Sequence, residues 1–127
     1  MFRNARELHL PVGHYAIFGS GPICIRGLRE CRDIDIIVTA ELFRKLRSDP
    51  RWEVKALQDG SEYLSRGAIE LYNDWGPGEW DIEKLIREAE VIDGLSFVRL
   101  EEVCNWKKTL GREKDLKDLE LIASYLD

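Results

Sequence analysis

Two short stretches determine the fold: Tyr15-Ala16-Ile17-Phe18-Gly19-Ser20-Gly21 and, with twelve residues between Ser20 and Asp33, Asp33-Ile34-Asp35-Ile36-Ile37-Val38. The first is an apolar run that stops at two glycines and a serine, a pattern typical of a strand followed by a tight turn. The second places two aspartates in a run of isoleucine and valine. Because side chains alternate across a strand, Asp33 and Asp35 are expected on one face and Ile34, Ile36 and Val38 on the other.

The aspartate pair predicts a metal site, and the glycine-rich turn predicts a phosphate site. Neighbouring carboxylates repel unless a positive charge lies between them, and a hard divalent cation is the usual solution. Aspartate is also depleted from strands, so two on one face cost stability unless they have a use. The backbone N–H groups of Gly19-Ser20-Gly21 and the Ser20 hydroxyl can hold phosphate. Together the two features favour metal-assisted chemistry on a nucleotide over the simpler interpretation, a half-exposed strand.

The composition is that of one globular domain spanning residues 1–127. Hydrophobic residues make up 44% and charged residues 34%, and no apolar stretch is long enough to span a bilayer. The net charge of −5 gives the surface as a whole no attraction for nucleic acid. Three cysteines, an odd number without Cys-x-x-Cys spacing, argue against a disulfide framework and a zinc site. We therefore expect a reduced, cytoplasmic protein without a signal peptide or membrane segment.

The order of the predicted elements indicates an α+β (α/β) fold, with a mixed sheet flanked by helices and closed by a C-terminal helical pair. Alternation and turn residues predict strands at 15–18, 33–38, 52–57 and 67–72, and a hairpin about Asp93-Gly94. One helix is predicted at about 22–30 and a second after an N-cap at Thr39. Further helices are predicted over 82–89, 100–110 and 112–126. The last helix is expected to bury Leu119, Ile122, Ala123 and Leu126.

Three further features carry two interpretations each. Lys107 continues the apolar stripe of the helix at 100–110, and Arg112 with Asp115 continues that of the last helix, so these side chains either extend past the end of the core or converge on a polar cleft. Glu70 is the one carboxylate inside the predicted strand 67–72. It is either an exposed strand residue or a residue of the site. Trp75 and Trp80, which flank a Gly-Pro-Gly loop, either stack on a base or pack beneath the loop.

The glycines do not match two familiar nucleotide motifs. Gly19-Ser20-Gly21 is not the dinucleotide fingerprint, because Cys24 occupies the place of the third glycine. No Gly-Lys-Ser/Thr follows, so a Walker loop is also disfavoured.

The spacing Gly19-Ser20-x12-Asp33-Ile34-Asp35-Ile36 resembles the signature of the nucleotidyltransferase superfamily related to DNA polymerase beta. The run Gly27-Leu28-Arg29-x-x-Arg32 before Asp33 is similar to that of small bacterial and archaeal members. So is the ending Lys107-x4-Arg112-x-Lys114-Asp115-Leu116-x-x-Leu119. The absence of a separate substrate-binding domain resembles the minimal nucleotidyltransferases, which often work beside a small helical partner protein.

The resemblance implies a nucleotidyltransferase-like mixed sheet and a role for each matching residue. Gly19 and Ser20 would hold the phosphates of a nucleoside triphosphate such as ATP. The catalytic and metal-binding residues would be Asp33, Asp35 and Glu70, which would bind two Mg²⁺ ions, or Mn²⁺ in their place. The family usually has aspartate where this chain has Glu70. Phosphate charge would be neutralised by Lys107, Arg112 and Lys114, with Lys107 favoured because Lys114 is expected to point away from the Arg112–Asp115 face.

The expected activity is transfer of a nucleoside monophosphate from the triphosphate to an acceptor hydroxyl. The acceptor is a protein, a tRNA end or a small molecule such as an aminoglycoside, and the acidic surface disfavours a large RNA. The alternative is a non-catalytic, nucleotide-binding antitoxin or partner subunit that keeps the fold, as part of a toxin–antitoxin pair. The glutamate at position 70 keeps this alternative open.

Overall fold

The computed structural model describes residues 2–127, and within them seven strands form one mixed sheet with helices on both faces. The strands, in chain order, are β1 Tyr15–Ile17, β2 Ile34–Val38, β3 Glu53–Ala56, β4 Glu62–Arg66, β5 Ile69–Tyr72, β6 Glu90–Ile92 and β7 Leu95–Phe97. The helices are α1 Arg3–Glu7, α2 Gly21–Cys24, α3 Ala40–Arg47, α4 Ile82–Arg87, α5 Leu100–Leu110 and α6 Glu113–Leu126. The order across the sheet is β3-β4-β5-β2-β1-β7-β6. The predicted α+β class, mixed sheet and C-terminal helical pair are confirmed.

Strand β2 lies at the centre of the sheet and brings distant parts of the chain together. It pairs with β1 antiparallel and with β5 parallel. In the parallel register Asp35 lies opposite Glu70, and Ile36 lies opposite Leu71. The register therefore places two carboxylates from separate strands side by side on one face of the sheet.

The two faces of the sheet bury separate apolar clusters, as the alternation of the strands predicts. Ile36 belongs to the cluster beneath α1 and α3, whereas Ile37 belongs to the cluster beneath α4, α5 and α6. Asp35 has the same parity as Ile37 and so projects toward the second group of helices. The catalytic candidates of β2 and the cations of the C-terminal helices consequently share one side of the sheet.

Local capping residues set the helix ends as the sequence predicts. The Thr39 hydroxyl accepts a hydrogen bond from the Leu42 amide at 3.3 Å, which begins α3. Gly111 ends α5 with φ of 63°, a left-handed conformation that favours glycine. None of the helices in residues 2–127 is both long and apolar enough to cross a membrane.

Several predicted boundaries are wrong. Strand β2 begins at Ile34, so Asp33 lies just before the strand, without a ladder partner of its own. The segment 22–30 is helical only at its start, in α2. Strand β4 and helix α1 were not predicted, because β4 reads as a polar stretch and α1 is a single short turn.

The buried face of α6 also differs from the prediction. Ala123 and Leu126 are exposed, whereas Asp115 and Asp118 are buried together with Ile122. The spacing of the three buried residues still places them on one side of a helix. The inward side of α6 is therefore partly charged, and its carboxylates face cations from other elements.

The cysteines correct a further expectation. Cys24 and Cys31 form a disulfide, with Cα atoms 6.0 Å apart, and Cys104 is free. Gly27, with φ of 74°, reverses the chain between the end of α2 and the start of β2, which brings the two cysteines together. An odd number of cysteines leaves at least one of them free, but it does not prevent the other two from forming a single disulfide.

Candidate functional site

The carboxylates of Asp35 and Glu70 form a pair on adjacent strands. They lie opposite each other in the β2–β5 register, and the charge of Glu70 acts on Asp35. Burial, followed by the charges of Glu70 and Asp33, raises the pKa of Asp35 to about 6, and the charge of Lys107 partly opposes this. The Tyr72 hydroxyl donates a hydrogen bond to Glu70 Oε1 at 3.2 Å and so orients the second carboxylate.

Asp33 is the more exposed member of the predicted acidic set. It lines the same cleft as Asp35 and contributes to the pKa of Asp35 through its charge. In residues 2–127, no three His, Cys, Asp or Glu side chains come together closely enough to form a metal-binding cluster. The structure thus brings Asp35 and Glu70 together and leaves Asp33 at the edge of the site.

The turn after β1 approaches the carboxylate pair very closely. Gly19 has φ of 60°, and a Cβ atom at this position would lie 3.0 Å from Asp35 Oδ2. The Phe18 amide donates a hydrogen bond to the Asp35 carbonyl at 2.8 Å and fixes the turn against β2. Only glycine satisfies both the backbone conformation and the narrow space beside the carboxylate.

The Ser20 hydroxyl is positioned by two cations. Its oxygen accepts hydrogen bonds from Arg29 Nη2 at 2.6 Å and from Lys107 Nζ at 3.1 Å. A hydroxyl has two acceptor lone pairs and one donor proton. Because both lone pairs are occupied, the proton of Ser20 is left to donate, which is the property that a phosphate oxygen requires.

The cations beside Ser20 are held by the buried carboxylates of α6. Lys107, only 3% exposed, lies 2.8 Å from Asp118 and 3.7 Å from Asp115. Arg29 donates two hydrogen bonds to Asp118, at 2.7 and 2.9 Å, and Arg112 contacts Asp115 at 2.7 Å. This cluster of Arg29, Lys107, Arg112, Asp115 and Asp118 is called the cation cluster below.

The cation cluster carries a net positive charge at neutral pH. Burial alone would raise the pKa of Asp118, but hydrogen bonds from Arg29 and Lys107 outweigh it and hold the pKa below its usual value. Hydrogen bonds from Arg112 likewise outweigh burial and lower the pKa of Asp115. Three cations therefore face two ionised carboxylates, which leaves one positive charge over.

A cleft of about 270 Å³ lies between the cation cluster and Asp35. Besides members of the cluster, its lining includes Gly19, Ser20, Asp33, Asp35 and Lys114. Lys114, which was expected to point away, is exposed but borders this same cleft. The structure thus brings every predicted phosphate-binding residue to one opening, which is called the cationic cleft below.

A second cleft, of about 490 Å³, opens on the other side of Asp35. Its lining includes Tyr72, Trp75 and Trp106, together with the Gly-Pro-Gly loop that begins at Gly76. Trp75 stacks on Phe18 with ring centroids 4.6 Å apart, so it packs beneath the loop as well as facing the cleft. Asp35 and Trp106 line both openings and form the boundary between them. This second opening is called the aromatic cleft below.

Sequence reasoning missed several residues that build the site. Arg29 was noted only within a motif, and Asp118 was given no role, although it is the carboxylate that Lys107 and Arg29 share. Asp118 lies three residues after Asp115 on the buried side of α6, and that spacing was the available signal. Tyr72 lies two residues after Glu70 on β5, so strand alternation places both on one face.

Comparison with known proteins supports the fold. No family model matches the sequence, and no curated protein matches it. The structure is similar to the solved structure of ANT(2'')-Ia in complex with adenylyl-2''-tobramycin, an aminoglycoside nucleotidyltransferase. The TM-score is 0.54 at 22% sequence identity, and the match covers 97% of this chain and 83% of that one. The fold is nucleotidyltransferase-like.

Removal of the shared carboxylate of the cation cluster should weaken the whole protein. We expect Asp118→Asn to lower the free energy of unfolding by about 3 kcal/mol, because buried Lys107 and half-buried Arg29 lose their common counterion. Glu120→Gln, an exposed position on the same helix, is the matched control. Denaturant unfolding followed by circular dichroism measures the effect, and equal midpoints for the two variants would contradict it.

Removal of Asp35 should have the opposite effect in metal-free buffer. Asp35→Asn is expected to raise the free energy of unfolding by about 1–3 kcal/mol, since a desolvated negative charge beside Glu70 is removed. Asp33→Asn, at an exposed position, should change stability by less than Asp35→Asn. Thermal unfolding in the presence of a chelator is the measurement. A large loss of stability in Asp35→Asn would mean that this carboxylate is a structural residue.

Proposed function

We propose that this protein catalyses the magnesium-dependent transfer of a nucleoside monophosphate from a nucleoside triphosphate to an acceptor hydroxyl. The observation that carries the proposal is the position of Asp35, which lies opposite Glu70 in the sheet and lines both clefts. One cleft is cationic and suits a triphosphate, and the other leaves room for an acceptor beside the same carboxylate. The likeness in fold to an aminoglycoside nucleotidyltransferase supports the same class of reaction.

The triphosphate binds in the cationic cleft. Ser20 donates its free hydroxyl proton to a phosphate oxygen, and the backbone of the turn at Gly19 lies close enough to the carboxylates for the phosphate chain to reach them. Arg112 and Lys114 are exposed at the rim, whereas Lys107 is fixed in the interior. Lys107 therefore supplies a fixed charge, and Arg112 and Lys114 supply further charges at the rim, for the phosphates and the leaving pyrophosphate.

The acidic residues fit a hard divalent cation in their chemistry. Their donors are carboxylate oxygens, which Mg²⁺ and Mn²⁺ prefer, and a cation would offset both the burial of Asp35 and the charges of Glu70 and Asp33, which together raise its pKa. Asp35 and Glu70 would hold the metal, with Asp33 completing the ligand set from the edge of the cleft. Two such ions, when bound, lower the pKa of the acceptor hydroxyl and stabilise the charge of the leaving pyrophosphate.

The residues of the chain then direct the transfer itself. Glu70, held by Tyr72 and opposite Asp35 in the sheet, accepts the proton of the acceptor hydroxyl. The acceptor oxygen forms a bond to the α-phosphorus as the bond between that phosphorus and the bridging oxygen breaks. Pyrophosphate leaves toward Lys107 and Arg112, which neutralise its charge.

A second candidate follows from the length of Glu70. Glutamate is longer than the aspartate usual at this place in the family that the sequence resembles, and the described residues contain no three-carboxylate cluster. The chain would then be a nucleotide-binding antitoxin or partner subunit, beside a small helical partner protein in a minimal nucleotidyltransferase system. We also propose that the protein is cytoplasmic. For the enzyme, the acceptor is a protein, a tRNA end or a small molecule.

Incubation with labelled nucleoside triphosphates, magnesium and candidate acceptors tests the proposal. We expect release of pyrophosphate that stops on chelation, and a loss of at least about 100-fold in Asp35→Asn and Glu70→Gln, because a metal ligand is removed. Triphosphate affinity should change little in Glu70→Gln, since Ser20 and the cation cluster remain. The control is Glu83→Gln, an exposed position on α4.

The outcomes separate the two candidates. Full activity in Glu70→Gln would remove Glu70 from the reaction. Triphosphate binding without turnover, for every acceptor tried, would favour the binding subunit over the enzyme.

A further inference from the structure

The aromatic cleft carries a charge opposite to that of the cationic cleft. Its lining contains four carboxylates, those of Asp35, Asp59, Glu62 and Asp74, and no lysine or arginine. The cationic cleft on the other side of Asp35 has five cations in its lining, Arg29, Arg32, Lys107, Arg112 and Lys114, against two further carboxylates, Asp33 and Asp118. The two halves of the site are therefore polarised, with Asp35 and Trp106 at the boundary.

The carboxylates of the aromatic cleft differ in how far their charge is already compensated. Glu62 is paired with Arg47 through two hydrogen bonds of 3.0 Å. Asp59 accepts hydrogen bonds from the amide and the hydroxyl of Ser61, which lower its pKa and keep it ionised. Asp74 accepts only the Trp75 amide, at 2.8 Å. Within residues 2–127, neither Asp59 nor Asp74 has a cation within 4 Å, so two full charges act on the contents of the cleft.

Flat apolar surfaces line the same cleft. Trp75 contacts Tyr72 edge to face, with ring centroids 5.5 Å apart, and Trp106 at 5.1 Å. Aromatic faces attract cations and also pack against the apolar faces of ring-shaped ligands. A volume of about 490 Å³ is within the range of pockets for small molecules. The cavity, its aromatic lining and its contact with Asp35 all point to a ligand site, and the carboxylates determine the charge of that ligand.

We infer that the aromatic cleft is the acceptor site and that the acceptor is a small, ring-containing molecule bearing hydroxyl groups and at least one protonated amine. The inference rests on the proposed function for the direction of the reaction. The ammonium group lies toward Asp59 and Asp74, and a hydroxyl of the same molecule reaches Asp35 and Glu70. An anionic acceptor, such as an RNA end, meets like charge from the two uncompensated carboxylates, Asp59 and Asp74, and is rejected.

Matched probes of different charge test the inference without any chemistry. Deacetylated chitobiose carries two amines, N,N'-diacetylchitobiose has the same rings without charge, and the dinucleotide UpU carries a phosphate. Tryptophan fluorescence reports binding, because Trp75 and Trp106 line the cleft. We expect the amine form to bind most tightly, the acetylated form more weakly and UpU least.

Variants of the two uncompensated carboxylates connect this binding to the cleft. Asp74→Asn, and Asp59→Asn with Asp74→Asn, should weaken binding of the amine form about threefold to fivefold for each carboxylate removed, the strength of an exposed ion pair. Binding of the acetylated form and of triphosphate should stay unchanged. Asp93→Asn, an exposed aspartate in the β6–β7 turn, is the control. Asp74→Asn alone suffices if loss of the Asp59–Ser61 hydrogen bonds unfolds the double variant.

The outcomes distinguish this inference from the proposed function. Equal binding of the three probes, binding of none, preference for UpU, or amine binding unaffected by both variants would overturn the acceptor assignment. Amine-selective binding that depends on Asp74, together with no transfer to any acceptor, leaves the cationic-ligand site standing and overturns its role in nucleotidyl transfer. Transfer to an anionic acceptor alone would leave the proposed function standing and overturn the assignment.

Discussion

The parallel pairing of β2 with β5 is the constraint on which the rest of the site depends. It sets Asp35 directly opposite Glu70, on the side of the sheet that α5 and α6 cover. Two carboxylates in partial burial destabilise a fold, and the raised pKa of Asp35 reflects that cost. A hydrophobic strand with two leucines in the same places would pair at least as well. Unfavourable arrangements such as this carboxylate pair are expected where a protein binds a ligand or catalyses a reaction.

The other elements can be understood from the position of this pair. The turn after β1 needs glycine because a Cβ there would crowd Asp35. The cation cluster lies across the cleft from the pair, and its buried carboxylates hold Lys107 and Arg29 in place before any ligand arrives. Cations fixed in this way lose little conformational entropy on binding an anion, which is the general advantage of a preorganised site. The disulfide of Cys24 with Cys31 closes the loop that carries Arg29.

Sequence reasoning predicted the fold class, and most of the residues that line the cationic cleft, because local patterns encode them. Alternation predicted β2 and β5, and an N-cap residue predicted the start of α3. Strand parity placed Asp35 on a polar face, whereas Glu70 came from the family resemblance. What it could not predict depends on contacts between distant segments. Burial of Asp115 and Asp118 looks improbable from composition. It is tolerated only because Lys107 and Arg29 arrive from other elements and because Arg112 caps the start of α6. Asp33 lies outside β2 because the ladder with β5 begins at Ile34, and that pairing is not evident from the sequence of β2 alone.

The central claim is that Asp35 and Glu70 hold a divalent cation against a triphosphate bound at Ser20. A crystal structure with Mn²⁺ and a non-hydrolysable nucleoside triphosphate analogue tests it most directly, because the anomalous signal of manganese locates the ion. The account predicts an ion about 2.1–2.2 Å from oxygens of both carboxylates and of the triphosphate, with the phosphates on the Ser20 hydroxyl and Lys107. A triphosphate bound away from the cationic cleft, or an ion that contacts neither Asp35 nor Glu70, would contradict it.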